Sequence, residues 1–303
     1  VSPLVVGLVL LSALVHAVWS FTIKGSGDPL AFNLLQAVPL AIVCLALPCF
    51  ADLPALSARF YWLVVATGAA HAVYLYGLSL AFEGGDLSLV YPIARSAPAF
   101  LPLVAVPVAG ERITWAGGIG IATVVAGMWA VQAGGARRRP DEPGSPPLRA
   151  RLTSRPVRYA YLALAASVAY GVIDKLLVVE VATGPALGAL PPAILCFFAV
   201  WAGCAVFFVP MALARMPAGA LRRTAREEWR TVLLAASIGV LGYTLILKAL
   251  ETDPASYVVA VRQASVFFVL ILSVAFLRER PGGWRIAGAV ATVAGVALIA
   301  LAG

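Results

Sequence analysis

Residues 83–127 read EGGDLSLVYPIARSAPAFLPLVAVPVAGERITWAGGIGIATVVAG, and residues 251–295 read ETDPASYVVAVRQASVFFVLILSVAFLRERPGGWRIAGAVATVAG. The two stretches align at one fixed shift of 168, the difference between 251 and 83. Glu83 then meets Glu251, Ser88 meets Ser256, Glu111-Arg112 meets Glu279-Arg280, Gly120 meets Gly288 and Gly127 meets Gly295. Each copy runs acidic turn, apolar helix, Glu-Arg turn, Gly-rich apolar helix. A match held at one shift over about 45 residues marks an internal duplication. In a chain this apolar, duplication points to a membrane transporter made of two halves.

Of the 303 residues, 62% are hydrophobic and 12% are charged. Soluble domains carry roughly 45–50% apolar and about 25% charged residues, so an ordinary soluble enzyme is excluded. Apolar runs of about 18 residues or more recur along the chain, each long enough to cross ~30 Å of hydrocarbon. In lipid such runs are helices, because backbone polar groups there have no water to bond. The short alternating segments of a β-barrel do not occur. The net charge of +8 lies mostly in two Arg-rich loops. That placement fits loop topology and anionic lipid headgroups, with no nucleic-acid partner. Cys44, Cys49, Cys196 and Cys204 fall in apolar runs without metal-ligand spacing and read as small core residues. The first apolar run lacks a basic leader and reads as a helix of the bundle rather than a cleaved signal.

Apolar runs and their Gly, Pro and charged breaks predict ten spanning helices, over about 3–23, 30–50, 60–82, 87–109, 113–133, 159–181, 187–213, 231–250, 255–277 and 284–301. Residues 1–133 form a first repeat, 134–158 a basic Pro-rich linker with seven Arg, and 159–303 a second repeat. The first helices of the halves match at a shift of 151, Trp19 with Tyr170 and Lys24 with Lys175. Five helices is an odd number, so the second half sits upside down relative to the first. The fold class expected is therefore an all-α membrane protein of ten transmembrane helices in two inverted five-helix repeats. In such folds substrate sites lie near mid-membrane between the halves. Arg and Lys collect in the loops after helices 1, 5, 7 and 9, which by charge places both termini outside.

Helix 4 carries Pro92, Pro98, Pro102 and Pro107. Each removes a donor and frees a carbonyl one turn earlier, so this helix is expected to bend, with a hinge at Pro98 to Pro102. Helix 9 has only Pro254, at its start, and is expected to be straight. Gly117, Gly118, Gly120 and Gly127 suit close helix–helix approach.

The pattern Leu-Val-Tyr91-Pro92-Ile-Ala-Arg95, followed by Gly110-Glu111-Arg112 and a Gly-rich helix, resembles the EamA-type transporters of the drug/metabolite transporter superfamily. Tyr257-Val-Val-Ala-Val-Arg262-Gln263, followed by Arg278-Glu279-Arg280, is similar to the second EamA repeat. His16-Ala-Val-Trp19 with Lys24 is similar to a helix 1 pattern of one subgroup, in which Asn follows the Trp; here Ser20 stands there. The resemblance covers nearly the whole chain. It implies ten helices, secondary transport of small metabolites such as amino acids, often by export, and cytoplasmic termini, opposite to the charge count.

Ionisable residues within membrane helices are costly and are functional candidates by default. Arg95 lies about eight residues into helix 4, roughly 12 Å deep, and Arg262 lies at a similar depth in helix 9. Guanidinium groups match carboxylates and phosphates bidentately, so both are candidates for binding an anionic group. The bland alternative is an internal ion pair, with Asp174 the nearest acid. Asp174 is a candidate for proton coupling, or else it neutralises Arg262 or Lys175. Lys24, Lys175 and Lys248 lie near helix ends and are expected to snorkel. His16 and His71 could shuttle protons or simply pack. Trp19, Tyr74, Tyr76, Tyr91, Tyr170 and Tyr243 would give a cavity aromatic walls, while Tyr61, Trp62, Trp115, Trp229 and Trp284 fit an interfacial belt. Gln263, Asn33 and Gln36 are further polar candidates. Glu111 and Glu279 are expected to pair with Arg112 and Arg280 or to cap the next helix.

No phosphate-cradling Gly-Lys-Ser/Thr loop, zinc-protease His-Glu pair or Gly-x-Ser-x-Gly pattern occurs in the chain. No enzyme activity, metal or cofactor is expected. The reading is a permease of the cell membrane, monomeric or homodimeric in the bilayer, moving a small anionic or zwitterionic molecule. Efflux of drugs or cations held on Asp174 is the rival, and a lipid-phosphate flippase is a third.

Overall fold

A computed structural model of the chain describes residues 1–23, 27–47, 55–84, 87–136, 148–185, 187, 190–277 and 281–303. Lys24, Cys49 and the Arg278-Glu279-Arg280 turn lie outside these residues. Among the described residues there are helices and no strands. In chain order they are α1 (Pro3–Ile23), α2 (Pro29–Ala46), α3 (Ala58–Gly84), α4 (Leu87–Ala94), α5 (Ala97–Ala109), α6 (Trp115–Ala136) and α7 (Leu148–Leu152). Then follow α8 (Arg155–Ala182), α9 (Pro192–Arg215), α10 (Ala220–Glu227), α11 (Trp229–Leu250), α12 (Ala255–Arg262), α13 (Ser265–Leu277) and α14 (Gly283–Ala302). Nine spans of the described residues have the length and apolarity to cross a membrane, α4–α5 and α12–α13 each counting as one, and Pro3–Trp19 is a shorter apolar helix. The chain is a multi-pass helical membrane protein. The short α7 falls within the stretch read from sequence as the basic Pro-rich linker, and α10 lies in the second Arg-rich loop.

The core sits where α8 packs on α3, α9 on α2 and α3, and α11 on α1. Helices α6 and α14 pack on each other most extensively. Their seam is set by glycine. A Cβ added at Gly127 would lie 2.6 Å from the carbonyl oxygen of Gly288, and one at Gly295 would lie 2.7 Å from that of Gly120. Rising numbers on α6 meet falling numbers on α14, so the two helices cross antiparallel. Small residues at such a seam let backbones meet, which is how helices gain van der Waals contact in lipid. Of the four glycines singled out in α6, Gly118 faces open space and Gly117 faces the Tyr257 ring. Trp62, Trp115, Trp229 and Trp284, all near helix ends, are more than half exposed, as a lipid–water belt requires.

Two spans are broken, and the breaks fall at matching places. α4 ends at Ala94 and α5 starts at Ala97; adding 168 gives Arg262 and Ser265, where α12 ends and α13 starts. Helix 9 is therefore not the straight wall that its lack of proline predicts. In the first copy the cause is local. Pro98 sits in the first turn of α5, the position a helix tolerates, and it disfavours helical geometry in the residue before it. The break thus lies at Arg95-Ser96, just ahead of the expected Pro98–Pro102 hinge. In the second copy neither Gly nor Pro lies between Arg262 and Ser265. There the chain tightens into three-residue turns, Gln263 N–H donating to Ala260 at 3.0 Å and Ala264 N–H to Val261 at 2.9 Å.

Candidate substrate site at the two helix breaks

Each break carries an arginine. Arg95 follows the last residue of α4, and Arg262 is the last residue of α12. The Arg95 guanidinium lies over the Tyr91 ring, 5.5 Å from its centroid, and its Nη2 donates to Ser265 Oγ at 3.3 Å. Ser265 opens α13, so the arginine of one break reaches the other. Arg262 lies over the Tyr243 ring of α11, also at 5.5 Å. Aromatic faces attract a guanidinium through the ring quadrupole without neutralising it.

Among the described residues no carboxylate lies within ion-pair distance of either arginine. The Nε of each is buried without a hydrogen-bond partner there, while both side chains remain partly exposed. An unpaired buried donor on a charged group is costly unless something completes it.

Other sequence candidates gather around this pair. His16 and Tyr170 each lie within electrostatic reach of both arginines, and Tyr74 lies within reach of Arg95. Tyr74 meets Tyr170 edge-on at 5.4 Å. Trp19 joins by stacking on His16 at 5.2 Å, and its Nε1 donates to Gln36 Oε1 at 3.4 Å. Tyr91 stacks on Phe82 at 6.2 Å. Gln263 donates back to Val259 O of its own helix at 3.4 Å, leaving its Oε1 buried and unbonded. Asn33 is apart from the group, bonded to Ser79 at 3.4 Å. Two surface grooves run along α6, one of them shared with α14, and neither is lined by the arginines.

Asp174 is not the counter-ion of this pair, nor of Lys175. It is fully buried in α8. Its Oδ1 accepts from Thr67 Oγ1, and its Oδ2 accepts from Tyr243 Oη and lies 3.1 Å from His71 Nε2. The His71 ring stacks on Tyr170 at 4.0 Å. Lys175 does not snorkel either: its Nζ donates to the carbonyls of Leu250, the last residue of α11, at 2.7 Å and of Asp253, just beyond it, at 3.1 Å. Lys248 is exposed and pairs with Glu251 at 2.5 Å. Thr67 and Ser265 were not sequence candidates. Thr67 had a signal, lying one turn before His71 on the same helix face. Ser265 had none, since its role depends on a break with no local signature.

Geometry defines a class: a multi-pass helical membrane protein with two broken spans meeting at a pair of arginines that have no carboxylate partner among the described residues. Residues 157–301 match the model of the EamA-like transporter family, which supports an EamA-type transporter of the drug/metabolite transporter superfamily. The match covers the second half of the chain. No curated protein matches the sequence. One solved crystal structure, of a protein described without a function, superposes with a TM-score of 0.71 over 98% of this chain and 97% of its own. At 14% identity that likeness speaks to the fold alone.

Proposed function

We propose that the protein is a permease of the cell membrane that binds a small anionic or zwitterionic metabolite between its halves and moves it by alternating access. The observation that carries this reading is the arginine pair: two half-buried arginines, each with an unpartnered Nε, at matching helix breaks, with no acid beside either among the described residues. Such a site is incomplete until a ligand supplies negative charge, and an amino-acid or related carboxylate matches the guanidinium fork. Cation efflux would need an acid free to receive the cation, whereas both Asp174 oxygens already accept hydrogen bonds.

The architecture behind this reading is ten helices in two inverted repeats. It is supported by the breaks in register at a shift of 168 and by the antiparallel α6–α14 seam. Broken spans meeting between repeats are where transporters of this build place substrate. The test is thermal stabilisation of the purified protein across a metabolite panel. Carboxylate metabolites should raise Tm in the wild type and fail to do so in Arg95→Gln and Arg262→Gln. Stabilisation by cations alone, abolished by Asp174→Asn, would instead establish the rival.

A further inference from the structure

Asp174 is the most deeply buried acid among the described residues. Three groups from two other helices converge on it: Thr67 and His71 from α3, and Tyr243 from α11. Thr67 and Tyr243 can only donate to an ionised carboxylate. A bond between an imidazole nitrogen and that carboxylate requires the nitrogen to carry the proton. All three donors therefore fit the anion. A buried anion is costly unless a cation stands beside it, and among the described residues His71 is the only group within ion-pair distance. His71 has a second ring nitrogen with no partner among the described residues, so the ring can take up a proton there. The pair then carries one negative charge without that proton and none with it.

The remaining titratable groups facing this pair are few. Tyr170 of α8 stacks on His71, Cys196 of α9 lies within electrostatic reach of Asp174, and Arg262 of α12 lies across the Tyr243 ring. From α5, Leu101 is an apolar neighbour of Gly171 one turn away. Tyr243 is thus a shared wall, its hydroxyl on Asp174 and its ring under Arg262.

We infer that His71 and Asp174, held by Thr67 and Tyr243, form a proton-binding site, and that a proton entering it strengthens anion binding at Arg262. The sign follows from charge. Protonation removes one negative charge from beside the anion site, so the anion binds tighter; by linkage, a bound anion promotes protonation. Proton and anion then travel in the same direction. The coupling half of this inference rests on the arginine reading above; the proton site does not.

The experiment uses the full chain reconstituted on a solid-supported membrane, with protons alone as the first probe. An acidic pH jump should give a transient charge-displacement current in the wild type that is lost in Asp174→Asn and in His71→Gln. Both substitutions keep a polar group of similar size, and gel filtration shows whether each stays folded. Wild-type currents in both folded variants would overturn the proton site. A proton current that persists in Arg262→Gln, whatever its size, together with the loss of metabolite stabilisation separates this proposal from the functional reading. The best-stabilising metabolite of the panel is the second probe. Its effect on Tm should grow on acidification in the wild type and be independent of pH in Asp174→Asn. Growth on alkalinisation would overturn the sign of the coupling.

Discussion

Glu111 Oε2 accepts both the backbone N–H of Ser256, at 3.2 Å, and its hydroxyl, at 2.6 Å, across 145 positions of chain. Oε1 of the same carboxylate accepts the N–H of Ala255 at 2.5 Å. The first turn of a helix leaves its N–H groups without partners and concentrates positive potential. A carboxylate is the strongest cap for it. So the Glu-Arg turn of one half caps the broken helix α12 of the other; it does not cap the helix that follows it. Glu111→Ala should cost about 1–3 kcal/mol, since it leaves buried donors unsatisfied. Thermal unfolding should show a clear fall in Tm, whereas Arg112→Ala, at an exposed neighbouring position, should leave Tm nearly unchanged.

The α6–α14 seam admits no side chain. A Cβ at Gly288 would lie 2.5 Å from the Gly127 carbonyl oxygen, too close for either backbone to yield cheaply. Gly288→Ala should therefore part the helices and yield protein that aggregates on gel filtration. Gly118→Ala is the control. It meets nothing within 4 Å and should match or exceed wild-type stability, because Ala gains up to about 1 kcal/mol over Gly within a helix.

Lys175 ties α8 to the end of α11 through two carbonyl oxygens. A cation there also suits the negative end of the helix dipole. Lys175→Met keeps the aliphatic stem and removes the charge-assisted bonds, so a loss of about 2 kcal/mol is expected. Thermal unfolding measures it. The arginine-dependent metabolite stabilisation should survive this substitution, because Lys175 touches neither break.

At the breaks, charge alone should not suffice. Lys keeps the positive charge but lacks the planar fork. Arg95→Lys should retain part of the metabolite stabilisation and Arg95→Gln none. Equal binding by Arg95→Lys and the wild type would mean that the site needs a point charge only.

Helix positions were legible because the apolar runs are long and their turns carry Gly, Pro or charge. The bounds of α1 agree with those expected, Pro3–Ile23. The arginines were legible because charge stands out in an apolar segment. The break at Gln263-Ala264 was not legible, since it has no Gly or Pro; it stands at the positions that align with Arg95-Ser96 at the shift of 168. The partners of Asp174 were hidden for another reason. Thr67 and Tyr243 lie 107 and 69 positions away, and only packing of α3 and α11 on α8 brings them together. The same holds for Glu111, whose capped helix lies far along the chain. Glycines read alike in sequence, yet only those on the α14-facing side of α6, such as Gly120 and Gly127, form its seam.

The most direct measurement compares the best-stabilising carboxylate metabolite with its methyl ester, by thermal shift, on the wild type and on Arg95→Gln/Arg262→Gln. The two ligands differ in the negative charge that the guanidinium pair is held to bind. Stabilisation by the free acid alone, absent from the double variant, is the result predicted here. Equal stabilisation by acid and ester, or an undiminished shift in the double variant, would contradict it.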